Sequence, residues 1–572
     1  MANNFSSLFR RKSVQKVLSD AAHADDSKGL VKTLGVRDLT SFGIAAIIGA
    51  GIFSTIGNAS YNGGPAVSLL FVFTAIACVF TALCYAQFAA TVPVSGSAYT
   101  YAYVSFGELF AWVIGWALIL EYAVSNMVVA ISWSEYFTTM LSGFGVNFPG
   151  YLSMDFWSAQ SAHAEVQKLV AAGQSVANLP TPTLTAAKAF VDAPVVFGIK
   201  FIADFPACMI TVLITWLVYI GIKESRNASN ALVVLKLIVV GMVILIGAFF
   251  VKPANWSPFA PNGVSGILSG VASVFFAFIG FDSISTTAEE CKNPQRDLPK
   301  AMLYSLAICT TLYVLITLTL TGMVNYKELA VADPLAYVFE KVGMDFIAGV
   351  IAVSAVVAIT SALLVYQLGQ PRIWMTMSRD GLLPKIFSRI HPKYKTPGFS
   401  TIVTGFLVGI PSLFLNMKFV TDLTSVGTFF AFILVCGGIL VMDPQGKATN
   451  ASFKLPYISG KFIIPTLLFL CVAAIFKYNS EVFVAWSALP FADFLEYKSL
   501  TVVFWVVWMV LSYQSFTKNW SLLPQFGILT NLYLMTELGL SNWKMFVIWL
   551  GIGLLIYFAY GRRHSKLAGQ AQ

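Results

Sequence analysis

Fourteen long apolar runs leave this chain one class of fold. They lie near residues 39–57, 66–91, 108–140, 201–221, 229–251, 264–288, 299–324, 346–376, 398–416, 421–442, 462–479, 499–516, 522–538 and 544–561. About twenty apolar residues cross the roughly 30 Å hydrocarbon core of a bilayer as a helix, and in lipid only helices and closed barrels satisfy their own backbone polar groups. With 57% hydrophobic and 11% charged residues over 572 positions, the chain cannot bury that surface in water. The expected fold class is an all-α polytopic membrane protein with 12–14 transmembrane helices.

Charge placement sets the expected topology. The net charge of +9 does not mark a nucleic-acid binder, because Lys and Arg cluster beside the apolar runs and do not interleave with stacking aromatics. Lys223, Arg226, Lys292, Arg296, Arg379, Lys385, Arg389, Lys393 and Lys395 fall on the side of the N-terminus, which the positive-inside rule makes cytoplasmic. Arg562, Arg563 and Lys566 put the C-terminus on that side too. A multi-pass protein of the plasma or inner membrane is expected, with both termini in the cytoplasm. Residues 1–38 hold Arg10, Arg11 and Lys12 but no apolar signal core. The stretch Gly96 to Glu108 is too short and polar to cross, and reads as a helix lying along the inner surface. Residues 141–200 form a long external loop, with helix potential from Ala159 to Ala172 and a break at Pro180 to Thr183. The seven cysteines are scattered without a CxxC pair, and His163 and His391 lack metal-ligand spacing, so no disulfide framework, metal or cofactor is implied. No signal identifies a small membrane accessory subunit.

Two of the runs are interrupted. In the first, IIGAGIF places Gly49 and Gly51 about ten residues in, near the bilayer midplane at 1.5 Å per residue. In the sixth, FFAFIGFDSIS from Phe275 to Ser285 crowds aromatics around Gly280 and places Asp282 at bilayer depth, where an ionisable group is a functional candidate by default. Glycine costs about 1 kcal/mol against alanine in a helix interior. The two breaks stand about 230 residues apart, as the first and sixth spans. Five helices followed by five of opposite orientation is the pattern of an inverted repeat, with a substrate site at the paired breaks.

Each candidate has a plainer reading beside it. Unwinding at Gly49-Ala50-Gly51 would expose amides at the positive end of a half-helix to a substrate carboxylate; the alternative is close helix packing through small residues. Unwinding at Phe276, Ala277 and Phe278 would free carbonyls for a substrate ammonium, with the rings of Phe276, Phe278 and Phe281 closing over it; the alternative is that these rings face lipid or neighbouring helices. Asp282 either caps the restarted half-helix or contacts a cationic substrate. Lys236 lies roughly 10 Å into the fifth span. Desolvation disfavours an ammonium there, which suits a proton carrier; otherwise its stem snorkels to the surface. Glu121, in LILEYAV of the third span, either faces the substrate path or pairs with a polar group on a neighbouring helix.

The run from Gly221 to Met302, together with IAAIIGAGIFSTIG, GSAYTYAYVSFGELFAWVIGWALILEY, MSRDGLLP and WLGIGLLIYFAYGRRHS, resembles the amino acid–polyamine–organocation superfamily, in its cationic amino acid transporter branch and bacterial relatives. The resemblance implies two inverted five-helix repeats, here 39–252 and 264–443, with about four peripheral helices in 444–561 and a tail at 562–572. It implies a carboxylate site from Ile48 through Gly49, Ala50 and Gly51 to Ile52. It also implies an amino-group site from Phe276 through Ile279 to Gly280 and its neighbour Phe281, and proton coupling through Lys236. One departure is Gln87, where family members commonly carry an acid, so any role of that acid is absent. The eighth helix, ending GQPRIWMTMSRDG, resembles members of broader or neutral specificity, and Ile347 to Met377 has no acidic residue. The expected function is secondary active transport of L-α-amino acids, proton-coupled and broad or neutral in specificity, with arginine and lysine as the alternative substrates. A receptor or channel on the same scaffold is more remote. An intramembrane aspartyl protease would need a second deep aspartate facing Asp282.

Overall fold

In the computed structural model, which describes residues 7–15, 17, 34–92, 97–172, 175, 179, 181–221, 226–331, 333–446, 453–478 and 490–567, each of the fourteen apolar runs holds helix. Gly96, Pro180, Lys223 and most of the segment before Leu34 lie outside the described residues. α1 (Val36–Ile47) starts where the Asp38 carboxylate accepts the Gly35 amide at 3.0 Å, and it stops as Ile48 turns extended, with φ −78° and ψ 90°. A π turn (Gly51–Thr55) and α2 (Ile56–Gly63) complete the crossing. There follow α3 (Val67–Thr91), α4 (Ser97–Ser105) and α5 (Glu108–Gly143). Next come α6 (Phe156–Ala171), α7 (Thr181–Asp192) and the short strands β1 (Val195–Val196) and β2 (Ile199–Lys200). Then come α8 (Phe205–Ile220) and α9 (Arg226–Gly247).

The second set opens with its own broken helix. α10 (Gly263–Leu268) and α11 (Val271–Phe276) run into a turn, and the chain restarts as a 3-10 helix (Phe281–Glu290). It continues through α12 (Pro294–Met323), the short α13 (Pro334–Lys341), α14 (Asp345–Arg379), α15 (Gly398–Ser412) and α16 (Met417–Met442). α17 (Ile463–Tyr478), α18 (Phe491–Lys518), α19 (Leu522–Thr536) and α20 (Leu540–Ile556) are peripheral. Among the described residues, nine helical stretches are long and apolar enough to cross a membrane, and three shorter apolar helices accompany them.

Polar side chains fix the peripheral helices to the core. The indole of Trp116 donates to the Trp549 carbonyl at 2.8 Å, Trp549 returns the bond at 2.9 Å, and the two rings stack at 4.6 Å. Asn531 on α19 donates to Thr81 on α3 at 2.7 Å. Gln87, the departure in the second span, donates to Asp443 at 3.1 Å and accepts the Leu455 amide at 3.3 Å. The amide thus pins the linker after α16 to α3. Gln87→Glu sets two carboxylates against each other in a buried site, and thermal unfolding should fall by about 1–3 kcal/mol of stability.

One expectation about the loops needs correcting. Thr181 to Thr183 do not break a helix. They begin α7, because a proline in the first turn loses no intrahelical bond. α4 is a helix, as expected, and all nine of its residues are buried. The N-terminal segment and the tail cover it. Lys12 pairs with Asp380 at the end of α14 at 2.6 Å and lies over the Tyr103 ring, and Tyr99 donates to the same carboxylate at 2.7 Å. From the tail, Ser565 and Tyr557 donate to the buried Glu108 at 2.6 and 3.0 Å. Both termini therefore meet on one face, beneath a cleft lined by Ser97, Tyr99, Arg372 and Thr376. Asp380→Asn should loosen this closure, and a cysteine at Thr376 should then react several-fold faster with a membrane-impermeant maleimide.

On the opposite face, Asp333 precedes α13. Burial pushes its carboxyl up to about 7; a bond from Thr139 opposes the rise and Glu340 adds to it. An aspartate raised above its ordinary value near 4 favours the protonated fold, so its contribution is complete below about pH 4 and is lost as pH climbs to 7. Asp333→Asn should match the native melting temperature at pH 4 and exceed it at pH 8.

Candidate functional site

The site forms where the two broken helices touch. A Cβ at Gly51 would lie 2.4 Å from the Ala277 Cα, and one at Gly280 would lie 2.9 Å from the Ala46 Cβ. Gly280 also holds φ at +114°, which side-chain-bearing residues rarely adopt. The glycines thus serve both readings at once: they allow close packing, and they sit at the interruptions. A small cavity opens between the breaks, lined by Ala46, Ile47, Gly49, Ala50, Gly51, Val129, Phe276, Ile279, Ala362 and Tyr366.

A helix ending inside protein leaves its last carbonyls without partners. α1 ends this way, and two side chains take its carbonyls. Lys236, fully buried on α9, donates from Nζ to Ala45 at 2.9 Å and to Ile48 at 2.8 Å. Its stem does not snorkel to the surface. The negative end of the α1 dipole favours a cation at this point. Tyr313 on α12 donates to the carbonyls of Ile47, at 2.9 Å, and Ala277, at 2.8 Å. A hydroxyl has one proton for two acceptors, so Tyr313 ties the two breaks together by a shared bond.

The expected residues separate into groups. Gly49, Ala50, Gly51, Phe276 and Ile279 line the cavity. Ile48 offers its carbonyl to Lys236, and Ala277 offers its own to Tyr313. Ile52 and Gly280 are packed without lining the cavity. Of the three rings expected to close over a substrate, only Phe276 reaches the cavity. Phe278 packs on Phe71 and Tyr313 from the turn that ends α11, and Phe281, after the positive φ of Gly280, packs on Tyr85 and Phe432. Asp282 lies buried in the first turn of the restarted 3-10 helix, a position where the helix start favours an acid. Glu121 is buried on α5 and lies near Asp282. Neither carboxylate lines the cavity. His391 accepts the amides of Lys393 and Tyr394, and His163 stacks on Phe190. Among the described residues no group of His, Cys, Asp or Glu is arranged to hold a metal.

Sequence reasoning missed Tyr313, Tyr366 and the wall residues Val129 and Ala362. The Tyr366 hydroxyl donates to the Ile279 carbonyl at 3.3 Å and its ring meets Tyr122 edge-on. The available signal was a tyrosine well inside an otherwise aliphatic or threonine-rich span.

Residues 34–511 match the family model described as amino acid permease, and residues 522–565 match that of the permease C-terminus. The chain belongs to the amino acid permease family. The permease is 36% identical over 562 residues to the branched-chain amino acid permease BcaP of Bacillus subtilis, covering 98% of this chain and 99% of that one. It is 34% identical to the methylthioribose transporter of the same organism, covering 98% and 99%. It is 30% identical to the vacuolar cationic amino acid transporter 4 of Arabidopsis thaliana, covering 98% and 96%. These matches, with the polytopic helical architecture, place the permease in the amino acid–polyamine–organocation superfamily.

Proposed function

We propose that this permease is a proton-coupled symporter of L-α-amino acids, working by alternating access and preferring neutral aliphatic substrates. The observation that carries the coupling is the seat of Lys236 on two carbonyls of the broken first helix. As an ammonium, Lys236 makes charge-assisted bonds there; as a neutral amine it keeps two N–H groups but loses the charge, and α1 is held less firmly. Proton release is thereby linked to movement of α1. The start of the restarted helix at Gly49 to Gly51 supplies amides for the substrate carboxylate, and the carbonyls between Phe276 and Ile279 receive its ammonium. The repeats 39–252 and 264–443 rock around this point, with the face that gathers the termini in the cytoplasm. No catalytic step is assigned, in keeping with a family and relatives named as permeases and transporters.

The aliphatic walls of Val129, Ile279 and Ala362 favour a neutral side chain, and the resemblance to a branched-chain permease supports this. The neighbouring pair Glu121 and Asp282 supports the cationic reading, as do the cationic transporter relatives. Uptake of labelled leucine, alanine and arginine into proteoliposomes, with and without an inward proton gradient, separates the two. Gradient-dependent concentration of leucine and alanine above arginine is expected. Preference for arginine would reverse the specificity, and binding without accumulation would point to a receptor.

A further inference from the structure

The face opposite the termini carries a hairpin whose side chains are better suited to lipid than to water. β1 and β2 pair antiparallel in the register Val195 with Lys200 and Val196 with Ile199. The turn between them is Phe197-Gly198, with φ +50° and +79°. Two positive φ values make the tight turn that Asn-Gly or Asp-Gly fits best, and a phenylalanine at the first position adopts it at a cost. Among the described residues nothing covers that ring. Phe197 is 100% exposed, and Val195 and Ile199 beside it are 65% and 69% exposed. The run from Ala193 to Ile199, APVVFGI, has no charge.

The base of the hairpin is held while the tip is left bare. Lys200 folds back to donate to the carbonyls of Phe190 and Val191 at the end of α7, and it lies over the Phe190 ring. Phe201 donates its amide to Pro194 at 2.9 Å, and Ala193 and Ile202 pack on Ala159 of α6. The one basic residue is thus turned inward, away from the tip.

The tip continues a surface that the bilayer already covers. α8 starts at Phe205, and Phe205, Met209, Val212 and Trp216 are exposed along one face at spacings of four, three and four. Such a stripe on a membrane-crossing helix meets lipid. Phe201 joins it, packing on Phe205 at 6.0 Å. Exposed phenylalanines also mark other helix ends on this face, at Phe144 after α5, Phe249 after α9 and Phe346 at the start of α14. Three side chains are far too few for a protein partner, since specific interfaces need about 1,000 Å², but a small apolar wedge beside a lipid-facing helix is enough to enter the headgroup boundary.

We propose that Val195, Phe197 and Ile199 form an interfacial anchor that inserts into the adjoining lipid leaflet and ties the α6–α7 cap to the membrane. A nitroxide at Phe197→Cys, in a cysteine-free background reconstituted into phosphatidylcholine vesicles, tests it. Collision with oxygen should exceed collision with a water-soluble nickel chelate at position 197, whereas the order should reverse at Lys188→Cys on α7. Equal nickel access at both positions would overturn the anchor. A label shielded from both reagents would also overturn it, because protein would then cover the tip, and dipolar broadening would identify a second copy as that cover. As an independent readout, Phe197→Trp should add a fluorescence component quenched several-fold more strongly by lipids brominated near the headgroup than by lipids brominated at the chain end. Quenching no different from that of the native protein would count against insertion.

Discussion

Proteoliposomes carrying Lys236→Ala are expected to exchange amino acids across the bilayer but to accumulate none above equilibrium under an inward proton gradient. On the proposed coupling, the substitution removes the group that would sense the proton and leaves the cavity walls in place, so the binding half of the cycle should survive the loss of the driving half. It also strips the buried carbonyls of Ala45 and Ile48 of their donor. Each orphaned carbonyl costs about 1–3 kcal/mol, enough to lower thermal stability by several degrees. Stability and coupling can be told apart with Lys236→Arg, whose guanidinium stays charged at all accessible pH values. That variant should bind substrate and fail to accumulate it.

Gly51→Ala should abolish uptake of every substrate, and binding with it. A methyl group at that position would stand 2.4 Å from the Ala277 Cα and 2.8 Å from its Cβ, and the first of these is backbone that no rotamer change can move. The two breaks would have to part by about 1 Å, and overpacking of this kind costs about 1–3 kcal/mol. The gain in helix propensity, about 1 kcal/mol, does not offset it. Tyr313 would lose its simultaneous reach to both breaks. Substrate-induced thermal stabilisation is the check, and retention of the native shift would show that the breaks need not touch.

How far the site could be read from sequence depended on the residue type. Gly49, Gly51 and Gly280 were legible because glycine inside an apolar run has a backbone cost that something must repay. Lys236 was legible because an ammonium at that depth is conspicuous. Its partners were not, since the carbonyls of Ala45 and Ile48 belong to residues with no distinguishing side chain. Tyr313 passed unnoticed for the opposite reason: tyrosine is common in such spans, and only the fold shows which hydroxyl reaches a broken helix. The directions of Phe278 and Phe281 are not legible either: the first is set by the turn that ends α11, and the second follows the φ of Gly280, a torsion that the residue type permits but does not dictate. The prolines near Thr181 were misread through a general rule about helix breaking that does not hold in a first turn. Burial of α4 depended on the two termini folding over it, a contact between distant parts of the chain.

The most direct test of coupling is proton entry itself. Native protein and Lys236→Ala are reconstituted with a pH-sensitive dye in the lumen at equal pH on both sides, and leucine is then added outside. The account predicts acidification of the lumen that tracks leucine entry in the native protein and no acidification in Lys236→Ala. Equal acidification in both, or leucine entry with no change of pH in the native protein, would contradict proton symport through Lys236.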